Sequence, residues 1–336
     1  MRIGLAGVGR IGAFHADTLR RHPEVDTLLV ADADTDRARA VAAELGVTAL
    51  PGPQALFGSG LDALVIAAAT DAHAGLILAA VDAGLPVFCE KPVAPDLAGT
   101  LAVVARVAGS PVPVQIGFQR RFDAGYVAAR AAVHSGQLGW LHTLRGGTLD
   151  PAPPPPGYVA SSGGLFKDML VHDFDIIRWV TGREVVEVYA TGGNRGEEFF
   201  AAAGDVDTGS ALLTLDDGTL GQVAGTRYNP AGYDVRLELL GSAGSISVGL
   251  DDRLPLRSAE PGVSFPAGPA YPNFMDRFRS AYEAELAAFL QVAAGTAPSP
   301  CTVDDALAAF QIAEACELSR RERRPVRVDE IAGLPA

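Results

Sequence analysis

Six residues near the start of the chain, Gly7-Val8-Gly9-Arg10-Ile11-Gly12, restrict the first third more than any other stretch. They follow Arg2 to Ala6, which reads as a short buried strand, and run into a helical pattern from Ala13 to about Arg20. In the order strand, Gly-x-Gly-x-x-Gly, helix, each glycine has a reason. Gly7 permits a tight turn, Gly9 lets the backbone approach a pyrophosphate, and Gly12 lets helix and strand pack closely. The helix start, with Arg10 and Ile11, then offers N–H groups to the phosphates. A second strand, Thr27 to Ala31, ends at Asp32, twenty residues after Gly12. A carboxylate there accepts hydrogen bonds from ribose hydroxyls and repels a 2′-phosphate, so NAD is expected rather than NADP. Arg37, in the helix start that follows, could soften that preference by reaching such a phosphate.

The alternation continues. Helices are expected at Thr35 to Leu45, about Ala74 to Ala83 and Asp96 to Ala108, and strands at Ala63 to Ala69, Val87 to Glu90 and Val114 to Phe118. Strands and helices in strict turn predict a parallel, doubly wound Rossmann sheet over residues 1–118, with ligands at the carboxyl ends of the strands. Thr70-Asp71-Ala72-His73 and Glu90-Lys91-Pro92 fall on that rim beside the glycine loop. Thr70, His73, Glu90 and Lys91 therefore join Gly7, Gly9, Arg10, Ile11, Gly12 and Asp32 as expected cofactor contacts. Lys91 is the only lysine in the first 160 residues. A lysine there can stabilise a developing alkoxide, and its protonation responds to its surroundings as arginine's does not.

Residues 119–336 read differently. An amphipathic helix to about Ser135 and a strand from Trp140 to Thr148 lead to a run from Asp150 to Pro156 in which Pro153 to Pro156 are consecutive. Such a run cannot pair in a sheet or continue a helix, so an extended loop is expected, a lid or a stiff connection. Gly163 to Gly182 then has helical periodicity: Phe166, Leu170, Phe174 and Ile177 share one stripe, and Asp168, His172 and Asp175 fall together opposite. Met169, Ile176, Trp179 and Val180 flank the polar three, so that side is not a solvated face, and the carboxylate and imidazole are either a structural pair or chemistry. Strands at Val185 to Thr191, Thr208 to Leu215, Thr219 to Tyr228, Val235 to Leu240 and Ser245 to Gly249 predict an α+β domain with a large, mainly antiparallel open sheet. Helices at about Asn273 to Ala294 and Val303 to Arg321 follow, with a last edge strand at Pro325 to Val328.

A chain of 336 residues with 48% hydrophobic content supports two domains. Its net charge of -13 disfavours nucleic acid and anionic membranes as partners. Cys89, Cys301 and Cys316 are too few and scattered for a disulfide framework, and no apolar run reaches membrane-span length, so a cytoplasmic protein is expected.

Together, Gly7 to Gly12, Thr70 to His73, Glu90-Lys91-Pro92, Gly117 to Asp123, Asp168 to Phe174 and Gly232-Tyr233-Asp234 resemble the Gfo/Idh/MocA oxidoreductases over essentially the whole length, most of all the inositol dehydrogenases. The resemblance implies Lys91, Asp168 and His172 as the catalytic group and Arg121 and Tyr233 near the substrate with Asp168 and His172. It further implies a cis peptide before Pro92 and a homo-oligomer, dimer or tetramer, formed through the open face of the second sheet. Asp175 has no role in that group and reads as a structural position. Thr148-Leu149-Asp150 stands where inositol dehydrogenases often have His-Arg-Asn, which shifts the expected substrate from myo-inositol toward another cyclic polyol or a ring hydroxyl of an aldose or glycoside. The expected chemistry is hydride transfer from a secondary alcohol to NAD, with His172 as base. No metal is expected, and His15 reads as structural or cofactor-proximal. The reading from another class is an NAD(H)-sensing regulator without turnover.

Overall fold

Every residue of β1 (Arg2–Ala6) after Arg2 is buried, and its neighbours β2 (Thr27–Ala31) and β4 (Ala63–Ile66) run parallel to it, with Ile3 registered against Leu28 and Ala63. With β3 (Thr48–Ala49), β5 (Val87–Glu90) and β6 (Val114–Gly117) they form a six-stranded parallel sheet in the order β3-β2-β1-β4-β5-β6. Near-continuous apolar strands suit a sheet buried on both faces. The computed structural model of the protein describes residues 1–266 and 268–332.

Helices α1 (Arg10–Arg21), α2 (Thr35–Leu45), α3 (Thr70–Asp82) and α4 (Leu97–Ala108) fill the connections. Asp34 and Asp96 cap α2 and α4 by accepting from the N–H groups of Arg37 and Gly99, whereas α1 and α3 begin without a capping side chain. Both uncapped helices also start earlier than the sequence suggests. Arg10 to Gly12 and Thr70 to His73 are first turns, not loop.

The second unit begins at Arg120. It contains α5 (Ala124–His134), β7 (Leu141–Leu149), α6 (Pro156–Ser161), α7 (Val171–Thr181), β8 (Val185–Gly193), α8 (Glu198–Ala202), β9 (Thr208–Leu215), β10 (Leu220–Thr226), β11 (Asp234–Gly241) and β12 (Ser245–Val248). Its seven-stranded sheet has the order β12-β11-β7-β10-β9-β8-β13, the last strand being β13 (Val326–Arg327). Pairing is antiparallel except between β7 and β10, which are parallel, with Leu149 beside Thr226. The carboxyl ends of β7 and β10 consequently lie side by side at one end of the sheet. In β9 and β10 alternate residues are buried, and Leu212 and Leu220 point outward, the pattern of a sheet covered on one face. The proline run does not stay extended to its end: Pro155 caps α6 and Pro156 opens it, where a missing N–H costs nothing.

The expected division at residues 118/119 needs a correction near the C-terminus. Residues Ser280–Leu307 belong with Met1–Gln119, and the second unit resumes at Ala308. The physical reason is burial. Helix α9 (Phe274–Ala293) places Leu286, Phe289, Leu290 and Val292 in one core with Ile3, Leu5, Val30 and Phe88. The N–H of Ile116 also donates to the Cys301 carbonyl at 2.9 Å. Phe278 interrupts α9 with φ -113° and ψ 17°, next to the point where the chain changes units. Helices α10 (Val303–Glu322) and α11 (Val328–Ala332) complete the chain described.

Candidate active site

The glycine loop has the shape a dinucleotide needs. A side-chain carbon at Gly7 would meet the Ala68 backbone, and one at Gly12 would meet the Gly7 carbonyl, whereas at Gly9 nothing lies within 4 Å. Gly7 and Gly12 are thus demanded by the chain itself, and Gly9 faces the open side on which a pyrophosphate would lie. Asp32 Oδ2 accepts from the Val8 N–H at 2.8 Å, tying the second strand to the loop. Arg37 lies 3.7 Å from Asp32 and donates to Asp34 at 3.1 Å, so a 2′-phosphate would compete with two carboxylates for it.

The rest of this rim is more internally engaged than the sequence suggests. His73 is buried, with Nδ1 2.7 Å from the Pro92 carbonyl and Nε2 3.0 Å from the Ala68 carbonyl. Both ring nitrogens therefore face backbone, and His73 ties the loop before α3 to the loop after β5. Glu90 Oε1 lies 2.6 Å from Nε2 of the buried His15, which packs against Phe14, Phe88 and Tyr282. The Lys91–Pro92 peptide is cis. Lys91 follows β5 directly and is partly exposed.

In the second unit Asp168 does not lie on a regular α-helix. Phe166–Leu170 is a π turn that passes into α7 at Val171. Such turns are frequent at functional sites. Asp168 and Asp175, expected on one face, are held by different partners. Asp168 accepts from the Tyr158 hydroxyl at 2.8 Å and from Arg227 Nη2 at 2.7 Å. Asp175 instead takes Arg121 Nε at 3.0 Å and Nη2 at 2.5 Å, both side chains being buried. This gives Asp175 its structural role and shows Arg121, expected at the substrate, in a buried ion pair. The Tyr233 ring is buried edge-on to Phe274 and Phe278, and burial pushes its hydroxyl up. Among the described residues no three His, Cys, Asp or Glu side chains are grouped to hold a metal ion.

Comparison with known proteins decides the family. Residues 1–118 match the oxidoreductase family with an NAD-binding Rossmann fold, and residues 126–247 match the Gfo/Idh/MocA C-terminal domain. The chain is a Gfo/Idh/MocA oxidoreductase. It is 40% identical to myo-inositol dehydrogenase Hyg17 of Streptomyces leeuwenhoekii, over 95% of this chain and 97% of that protein. It is 33% identical to the scyllo-inositol 2-dehydrogenase (NAD(+)) of Bacillus subtilis, over 98% and 96%. Among solved structures, a myo-inositol dehydrogenase from Corynebacterium glutamicum superimposes with a TM-score of 0.89 at 34% identity, covering 100% of this chain and 99% of that one. The NAD-dependent class expected from the glycine loop and Asp32 therefore holds for this Gfo/Idh/MocA member.

Three residues of this oxidoreductase escaped the sequence reading. Arg120, next to Arg121 in the same motif, is almost fully buried, donates to Thr148 Oγ1 at 2.7 Å and pairs with Asp173 at 3.1 Å. Thr148 in turn donates to Asp173 at 2.7 Å. Burial pushes the Asp173 carboxyl up, against the pull of Arg120 and Thr148, and raises the nearby Tyr126 hydroxyl to about 12. The third is Arg227, buried just beyond β10, whose Nη1 donates to Asp150 at 2.8 Å while Nη2 holds Asp168. An arginine at a strand end beside a glycine-threonine pair was the available signal for Arg227. Asp173 stood in plain view beside His172.

Proposed function

We propose that this enzyme oxidises a secondary hydroxyl of a ring polyol, an inositol or a close relative, with NAD as the hydride acceptor. The observation that carries the reading is the Asp-x-x-x-His spacing of Asp168 and His172, with Asp168 held by Arg227 and Tyr158. It stands in a chain whose relatives include myo- and scyllo-inositol dehydrogenases. NAD, when bound, supplies the hydride chemistry. His172 takes the hydroxyl proton as general base, since an imidazole works closest to neutral pH. Lys91 stabilises the negative charge that develops on the oxygen. Asp168, paired with Arg227, accepts a hydrogen bond from the imidazolium or from a neighbouring substrate hydroxyl.

Thr148 and Asp150 support a ring polyol other than myo-inositol, or an aldose or glycoside. Thr148 is bonded to Arg120 and Asp173, and Asp150 to Arg227, so the side chains offered to hydroxyls differ from a His-Arg-Asn run. We also place the enzyme in the cytoplasm as a homo-oligomer joined through the open sheet face. That face exposes Tyr189 and Leu212, which are registered side by side, together with Leu220.

The test is NADH formation from a panel of inositol stereoisomers, aldoses and glycosides. The parent is expected to turn over a ring polyol. His172→Ala and Lys91→Ala should still bind NAD while turnover falls by at least ~100-fold. Near-normal turnover in either variant removes that residue from the reaction, and NAD binding without turnover on any member favours the regulator.

A further inference from the structure

We infer that Arg227 is a positioning residue for the reaction, setting the orientation of Asp168 by bridging it to Asp150. The inference rests on the polyol-oxidation reading above. Asp150 leaves the end of β7 and Arg227 leaves the end of β10, two strands that run parallel in a sheet otherwise paired antiparallel. Their backbones are joined there as well. The Asp150 N–H donates to Thr226 O at 2.9 Å, and the Asn229 N–H donates to Asp150 O at 2.7 Å. The platform beneath the guanidinium is thus fixed by sheet hydrogen bonds rather than by a mobile loop.

Arg227 then gives one terminal nitrogen to each carboxylate, at 2.8 Å to Asp150 and 2.7 Å to Asp168, and is 5% exposed. A guanidinium is planar, with its donors in a rigid fork, so two carboxylates on its two arms are held in a set relation to each other. Asp168 sits on a π turn, an irregularity frequent at functional sites, and this tie holds its carboxylate there. Its second oxygen receives the Tyr158 hydroxyl from α6, the short helix after the proline run. Asp168 is consequently aimed by a side chain on the sheet, and Asp150 is the second anchor that keeps the aiming residue in place.

The experiment compares kcat and KM for the best ring polyol, KM for NAD and thermal unfolding across a set of variants. Arg227→Met and Asp168→Asn are each expected to lower kcat/KM for the polyol by ~100-fold with KM for NAD unchanged. The double variant should be no worse than the weaker single, because both changes remove one interaction. Arg227→Lys carries a compact charge that cannot span both partners and should lose ~10-fold, and adding Asp150→Asn should restore several-fold by freeing the lysine for Asp168. That rescue holds the test open if Arg227→Met does not unfold cooperatively. Losses that multiply, a folded Arg227→Met within ~3-fold of the parent, or no rescue of Arg227→Lys would each overturn the inference. A parent that turns over no polyol overturns the functional reading and this inference with it, whereas an active parent with any of the three preceding results overturns this inference alone.

Discussion

In the first unit six consecutive residues shape the ligand loop, whereas in the second the candidate site is held by arginines whose carboxylate partners lie 54 and 77 residues away along the chain, as in Arg121–Asp175 and Arg227–Asp150. The difference is one of cause. At Gly7 and Gly12 the constraint is local and steric: no side chain fits against Ala68 or the Gly7 carbonyl. At Arg120, Arg121 and Arg227 it is electrostatic. A buried guanidinium must find a carboxylate, and which one it finds depends on strand order and helix phase.

The largest expected effect breaks the second side of this comparison. Asp173→Ala leaves the buried Arg120 without its ion pair and should cost ~3–5 kcal/mol of unfolding free energy. The paired change Arg120→Met with Asp173→Leu should recover most of that, since an apolar pair avoids the burial of two charges. Denaturant unfolding measures both, and a loss below ~1 kcal/mol for Asp173→Ala would mean that the ion pair does not hold α7 in place.

A smaller effect sharpens the first side. Gly9→Ala should leave the fold intact, because nothing lies within 4 Å of the added carbon, and weaken NAD binding by ~10-fold or more, about 1.4 kcal/mol. Gly12→Ala should instead lower the melting temperature, since the carbon meets backbone. NAD titration and thermal melts of the two variants separate a glycine kept for the ligand from one kept for the chain. Normal NAD binding by Gly9→Ala would contradict the open-side reading.

The same contrast explains what was legible beforehand. The parallel sheet, the glycine loop, Asp32 and most strand limits follow from patterns within a few residues, and the structure places them as expected. The cis peptide before Pro92 was implied by resemblance and is present. Three things could not be read. The return of residues 280–307 to the first unit depends on a core assembled from distant strands. The π turn at Phe166–Leu170 has no local signature, so Gly163 to Gly182 reads as one regular helix. Arg120 and Arg121 are adjacent and chemically alike, and only the pairing of one with Asp173 and the other with Asp175 tells them apart.

The proposed reaction moves a hydride from a ring carbinol carbon to NAD with His172 as the base. The most direct measurement supplies the best ring polyol with deuterium at the oxidised carbon and examines the reduced cofactor by mass spectrometry. The account predicts reduced cofactor carrying one deuterium from the parent enzyme, and almost none formed by His172→Ala at full NAD occupancy. Reduced cofactor without deuterium, or the same yield from His172→Ala, would contradict it.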